Sequence, residues 1–255
     1  MEIFFSKDIS AEPFNMFSTE HIITALLICL INAGLIFFFK KCGNKRLLDN
    51  FRYYLAGLML INEVSYIIWS IFTGDWSMEY SLPLQLCEIL TFLSAFMLIS
   101  ENYTAFELVY FITFAGASQA IITPDLYYPF PHYRFFNFFI SHGLMFIAVF
   151  YMLIVKSYKP TLKSIWKTML GLNIYMVVLI PVNILTGGNY MFLREKPVDG
   201  SVLDFLGPWP WYLLSLEAVG LFMLFLCYLP FIAINFYNKK SNYRNTVSNI
   251  NNISS

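Results

Sequence analysis

Residues Ile22 to Phe39 read IITALLICLINAGLIFFF, with no charge and only Thr24 and Asn32 carrying polar side-chain oxygens. At ~1.5 Å per residue a helix of this length rises nearly the ~30 Å of a bilayer's hydrocarbon core. Working outward, the same test extends this run to 20–39 and finds six more, at about 51–72, 82–100, 105–122, 135–155, 165–186 and 210–236. The composition agrees: 58% of the 255 residues are apolar and 13% charged, against about 25% charged in soluble domains. A soluble globule is excluded. Sixteen basic residues balance sixteen acidic ones, so there is no cationic excess for a nucleic-acid backbone and no nucleic-acid partner is expected.

The fold expected is all-α: a polytopic membrane protein built as a bundle of about seven transmembrane helices. One domain covers 1–237, and an Asn- and Ser-rich tail, 238–255, is expected to be disordered and cytoplasmic. Lys40, Lys41, Lys45, Arg46, Arg52, Lys156, Lys159, Lys163, Lys167, Lys239, Lys240 and Arg244 fall on one side. Only Lys7, Arg134, Arg194 and Lys196 fall on the other. The positive-inside rule then puts the C-terminus in the cytoplasm and the N-terminus outside a cell membrane. Trp69, Trp76, Trp209 and Trp211 mark the outer ends of spans, as an interfacial belt would. Glu2, Asp8, Glu12 and Glu20 stand where a removable leader would be basic, so the first run is expected to be retained. No internal repeat is obvious.

Polar groups kept inside spans default to a functional reading, because lipid offers them no partners. They are Glu63, Gln85, Cys87, Glu88, Gln119, His142, Asn183 and Glu217. Counting ~1.5 Å per residue from the outer ends sets Cys87, His142, Glu217 and Glu63 at similar depths, about 7 to 13 Å in. An outward-opening cavity shared by several helices is the economical explanation. On the third span Leu84, Cys87, Glu88, Thr91, Ser94 and Ala95 share a side; on the fifth, Asn137, Ser141 and His142 lie together.

Pro83 suits a first helical turn, which sets Cys87 about one turn in, where the helix dipole favours a thiolate. A cysteine is equally a small apolar residue common inside bundles, as Cys29 and Cys227 illustrate. His142 is suited to act as a general base or as an anchor for a carboxylate. Glu63, Glu88 and Glu217 are open as proton carriers, partners of His142 or neutral carboxylates. The loop Gly187-Gly188-Asn189-Tyr190-Met191-Phe192-Leu193, with Arg194 and Lys196, could cover the cavity and hold a lipid phosphate; an ordinary turn explains its glycines as well. Four cysteines without CxxC spacing and three scattered histidines indicate neither a disulfide framework nor a metal site, and no cofactor is expected.

Four strings occur in order: Leu82-Pro83-Leu84-Gln85-Leu86-Cys87, Ser141-His142-Gly143, Gly188-Asn189-Tyr190-Met191-Phe192-Leu193 with Lys196-Pro197, and Gly207-Pro208-Trp209-Pro210-Trp211-Tyr212. Together they resemble the YwaF-type integral membrane proteins of bacteria, which are similar to eukaryotic transmembrane protein 164. The resemblance implies an acyltransferase moving a fatty acyl chain between phospholipid and lysophospholipid through an essential cysteine and histidine. Carried over by motif, these are Cys87 and His142. Glu88 departs from the neutral residue of that pattern.

The leading expectation is therefore a cysteine–histidine lipid acyltransferase acting on membrane phospholipids and lysophospholipids, with Gln85, Gln119, Asn183 or backbone amides near the oxyanion. The rivals are a proton-coupled transporter using Glu63, Glu88, His142 and Glu217, and a non-catalytic lipid-binding protein.

Overall fold

The computed structural model describes residues 2–7, 12–196 and 205–253, the last stretch from 238 onward by its backbone alone. Asp8, Pro197 and the last two residues of the tail, Ser254 and Ser255, fall outside the described residues. Every regular element among those described is helical. A short α1 (Glu2–Phe5) precedes α2 (Thr19–Lys41), α3 (Lys45–Phe72), α4 (Leu86–Ser100), α5 (Tyr103–Ile112), α6 (Ser118–Ile122), α7 (Tyr133–Ile154), α8 (Leu162–Thr186) and α9 (Trp211–Ile253). A π turn, Thr113–Ala117, joins α5 to α6, so that Tyr103–Ile122 forms one continuous span. Six helices are long and apolar enough to cross a membrane.

Several helices start where a side chain can take up the amides a helix leaves unbonded. Ser18 accepts from His21 N, Asn44 from Leu47 N, Asn102 from Ala105 N, and His132 from Arg134 N. The third span differs from its expected 82–100. It has only 15 helical residues, beginning at Leu86. Pro83 lacks an N–H and pushes Leu82 toward extended backbone, so residues 82–85 approach the helix as irregular chain. At the other extreme α9 keeps its helical backbone to Ile253, where the sequence expectation was a disordered tail. No Gly or Pro follows Pro230 to stop it.

The helices form two bundle ends. The loops 42–44, 101–102 and 155–161 share one, the basic end. The chain segments 73–85, 123–132, 187–196 and 205–210 share the other, the aromatic end. The core lies along α4, α5 and α7, whose Phe106, Val109, Phe111, Met145, Ala148 and Tyr151 are fully buried. By contrast α2, α8 and α9 turn large apolar side chains outward, among them Leu30, Val177, Leu185 and Leu214. Such an apolar exterior is stable only in lipid.

At the basic end several charges are paired. Arg52 Nη1 lies 2.9 Å from Glu101 Oε1 and donates to the carbonyls of Leu98 and Ile99 at the end of α4. Lys156 bridges Asp49 and Glu101, each at 2.9 Å. Deeper on α5, Glu107 is buried and accepts from Ser164 Oγ and Lys167 Nζ, both at 2.5 Å.

Candidate functional site

In α7 the spacing of Arg134, Asn137, Phe138, Ser141 and His142, in steps of three and four, draws one stripe along the helix. That stripe meets α3 and α4. Asn137 and Asn62 of α3 exchange amide bonds, Nδ2 of each donating to the other's carbonyl at 2.9 and 3.1 Å. One turn on, Ser141 Oγ lies 3.3 Å from Thr91 Oγ1 of α4, which donates to the carbonyl of Cys87. Tyr133 and Ser65 add a hydroxyl contact of 2.6 Å toward the aromatic end.

Cys87 is the second residue of α4, after the N-cap Gln85. It is thus closer to the helix's positive end than the one turn expected from Pro83. Glu88 caps its own helix: its Oε2 accepts the backbone N–H of Gln85 at 2.9 Å, closing the first turn. Gln85 Oε1 in turn accepts from Met191 N at 3.1 Å, so the 187–196 loop is tied to the start of α4.

His142 is buried, and its Nδ1 lies 2.8 Å from the Phe138 carbonyl one turn back. A carbonyl only accepts, so Nδ1 carries the proton and the neutral ring keeps a lone pair on Nε2. That Nε2 is buried without a hydrogen-bond partner among the described residues. Because α4 and α7 both run from the aromatic to the basic end, the contact of Thr91 with Ser141 sets Cys87 level with Asn137. His142 lies five residues further, about 7 Å along the axis, and its ring leans back toward Phe138, shortening that offset. The resting structure has no hydrogen bond from Nε2 to the thiol.

Two more groups surround this crossing. Glu63 of α3 is 5% exposed, and its Oε1 also lacks a partner among the described residues. Arg134 is half-buried; its guanidinium lies 3.7 Å over the Tyr66 ring and 5.9 Å from Trp69, and Nη1 donates to Asn137 Oδ1 at 2.7 Å. Glu63 and Glu88 are both within electrostatic reach of it, yet neither closes an ion pair with it. Cys87 feels Glu88 and Glu63 in the same way.

The other residues singled out in the sequence have different places. Asn183 is buried, but its amide holds both the N–H and the carbonyl of Tyr190. Asn189 Oδ1 accepts from the backbone N–H of Arg194 and Glu195, and Arg194 donates to the carbonyls of Gly187 and Gly188. All three hold the loop on itself. Its centre, Tyr190, is fully buried, donates to Met78 O and accepts from Leu82 N. Met191 and Phe192 are held at φ of 57° and 53°, a conformation that costs non-glycine residues about 1 kcal/mol or more. Glu217 accepts from Asn173 of α8 at 3.0 Å and makes no contact with the Glu63, Glu88 and Arg134 group. Gln119 is exposed on α6. The depth count had grouped Glu217 by level; it could not give the azimuth that α8 and α9 impose.

Arg134 and Asn62 were not singled out from the sequence, and the signal for Arg134 was present in its stripe with Asn137 and Ser141. Among the described residues no cluster of three metal-ligating side chains occurs. At the aromatic end, outside the spans, His132 accepts Arg134 N on Nδ1 and donates Nε2 to Ser6 O at 2.9 Å. Burial, with the nearby Arg134 charge, holds its pKa below the ordinary histidine value, against the pull of the Ser6 bond.

No curated protein and no solved structure matches the chain. The TMEM164 family profile matches residues 16–228, a stretch holding α2 to α8, the first part of α9 and the whole polar crossing. By that match the resemblance to transmembrane protein 164 holds, and the chain belongs to the TMEM164 family.

Proposed function

We propose that this membrane protein is a lipid acyltransferase in which Cys87 carries the acyl group and His142 moves the proton. The observation that carries the reading is His142: its Nδ1 is locked on the Phe138 carbonyl, and a buried Nε2 lone pair is left without a partner among the described residues, on the stripe of α7 that meets α4. A general base needs that tautomer. In the first half-reaction Nε2 takes the thiol proton and Sγ attacks an ester carbonyl of a phospholipid. The C–O bond then breaks, the lysolipid oxygen leaves with the proton from His142, and Cys87 holds a thioester. In the second half a lysophospholipid hydroxyl gives its proton to Nε2, attacks the thioester and releases the thiol. The amides of Leu86 and Cys87, which precede the first bond of α4 from Glu88 N to the Gln85 carbonyl, are suited to the developing oxyanion. With the aromatic end outside, the reaction would take place in the outer leaflet.

Lipid profiling of membranes expressing wild type, Cys87→Ala and His142→Ala tests the reading, together with intact-mass detection of acyl-Cys87. Remodelling and the acyl adduct should vanish in the first variant and fall steeply in the second. Full remodelling in Cys87→Ala would sink it. The unpartnered Glu63 carboxylate favours a second reading, a proton-coupled carrier. That reading requires flux into proteoliposomes that survives Cys87→Ala and is lost in Glu63→Gln.

A further inference from the structure

We infer that Arg134 is the residue that binds the phosphate of the lipid substrate, an inference that rests on the acyl-transfer reading. The loop cations read from the sequence as phosphate ligands include Arg194, but its guanidinium is engaged with the carbonyls of Gly187 and Gly188. Arg134 is arranged differently. Its guanidinium plane is fixed by the Tyr66 ring at 3.7 Å, and among the described residues Nη1 is its only side-chain nitrogen with a hydrogen-bond partner, Asn137 Oδ1. The remaining N–H donors of a planar fork are left for a ligand. No described carboxylate forms an ion pair with it, although Glu63 and Glu88 lie within electrostatic reach.

A preorganised guanidinium without an anion is suited to a phosphodiester, which it can bind bidentately. Its position supports this ligand. Arg134 is in the first turn of α7, near Trp69 and Tyr133 at the level where lipid headgroups meet the bundle. Two turns below it on the same stripe is His142, whose buried Nε2 lacks a partner. Glycerol ester carbonyls lie a few ångströms below their phosphate in a bilayer, so a phosphate held at Arg134 brings them toward Cys87 and His142. Tyr66 and Asn137 act as positioning residues, since both hold the guanidinium and neither needs to touch lipid.

The chemistry would be the same for a free phosphate, and the test separates the two. Purified full-length protein in detergent is given two acyl donors with identical chains: a diacyl phospholipid and the diacylglycerol that lacks its phosphate. Formation of acyl-Cys87 is followed by intact mass, with thermal unfolding run on each variant. Arg134→Gln should raise KM for the phospholipid about 10- to 100-fold, the range of a lost charge-assisted pair, and leave the diacylglycerol reaction near wild type. Arg134→Lys, which keeps charge but loses the stacked fork, should fall between. Inorganic phosphate should compete with the phospholipid in wild type and leave the diacylglycerol reaction unchanged. Equal losses on both donors, no loss on either, or phosphate dependence of the diacylglycerol reaction would each overturn the assignment. If wild type forms no acyl-Cys87 from either donor, the acyl-transfer reading itself fails, and this inference with it.

Discussion

The two ends of the bundle treat buried charge in opposite ways. Toward the basic end, Glu107 has both carboxylate oxygens bonded across to α8, and Glu101 is bracketed by Arg52 and Lys156. At the aromatic end Glu63 Oε1 and His142 Nε2 are buried without partners among the described residues, and Arg134 closes no ion pair with them. Open valences in a packed interior lower stability. Among the described residues Arg52 Nε at the basic end is also buried without a partner, but its guanidinium is paired through Nη1 with Glu101; Glu63 and His142 have no such ion pair, which is why the chemistry is proposed at one end and assembly at the other.

The sharpest way to break this contrast is His142→Gln. If Nε2 is the base, the acylation rate should fall about 10²- to 10⁴-fold while the unfolding transition stays close to wild type. An equal loss of folded protein would move His142 to the structural side. The second test makes one substitution at both ends. Glu107→Gln weakens the ion pair to Lys167 and should cost about 1–3 kcal/mol of stability. Glu63→Gln removes a carboxylate that lacks a partner and should be neutral or slightly stabilising. Thermal unfolding in detergent reads both, and equal losses would erase the distinction.

A third test probes the loop over the aromatic end. A Cβ on Gly188 would lie 2.5 Å from the Glu79 carbonyl oxygen, so Gly188→Ala must push the 187–196 loop off the 77–85 segment, at about 1–3 kcal/mol. Hydrogen exchange at Tyr190 and Met191 should rise, with α5 unchanged. The smallest effect concerns His132. Its folded pKa lies below the ordinary value, so on acidification the unfolded chain takes up the proton first. Stability from the neutral ring is therefore present above the ordinary histidine pKa and declines below it. The unfolding midpoint should drop between about pH 7.5 and about pH 5.5, and less so in His132→Asn, which keeps a cap for α7.

Much of the fold was legible because a long apolar run has few solutions in lipid: 20–39 became Thr19–Lys41 and 165–186 became Leu162–Thr186. The third run was longer than its helix because hydropathy does not register the chain-breaking effect of Pro83. Within the candidate site, counting along a span gives an approximate depth and no direction. Cys87, Glu88, Glu63 and His142 stand on neighbouring helices, with His142 about 7 Å further along the axis than Cys87, whereas Glu217, counted to a similar depth, bonds Asn173 of α8. Asn183, Asn189 and Arg194 were polar for a reason invisible in one dimension, since each bonds backbone within a few residues of itself. Arg134 sorted with the topology-setting charges because its side is easily counted. Its ring stack on Tyr66 depends on how α3 and α7 cross.

The shortness of α4 has a consequence for the membrane itself. Fifteen residues rise roughly 22 Å, several ångströms less than a typical hydrocarbon core. Phe96 and Ile99, on its last turns, face outward, so lipid borders this helix, and a span that is too short is met by thinning of the adjacent bilayer, at a fraction of a kcal/mol per ångström of mismatch. Lipids bordering that flank would be drawn inward by their headgroups. The dent would bring the polar boundary of the leaflet down to the start of α4, so that substrate need not be lifted out of the bilayer to reach it.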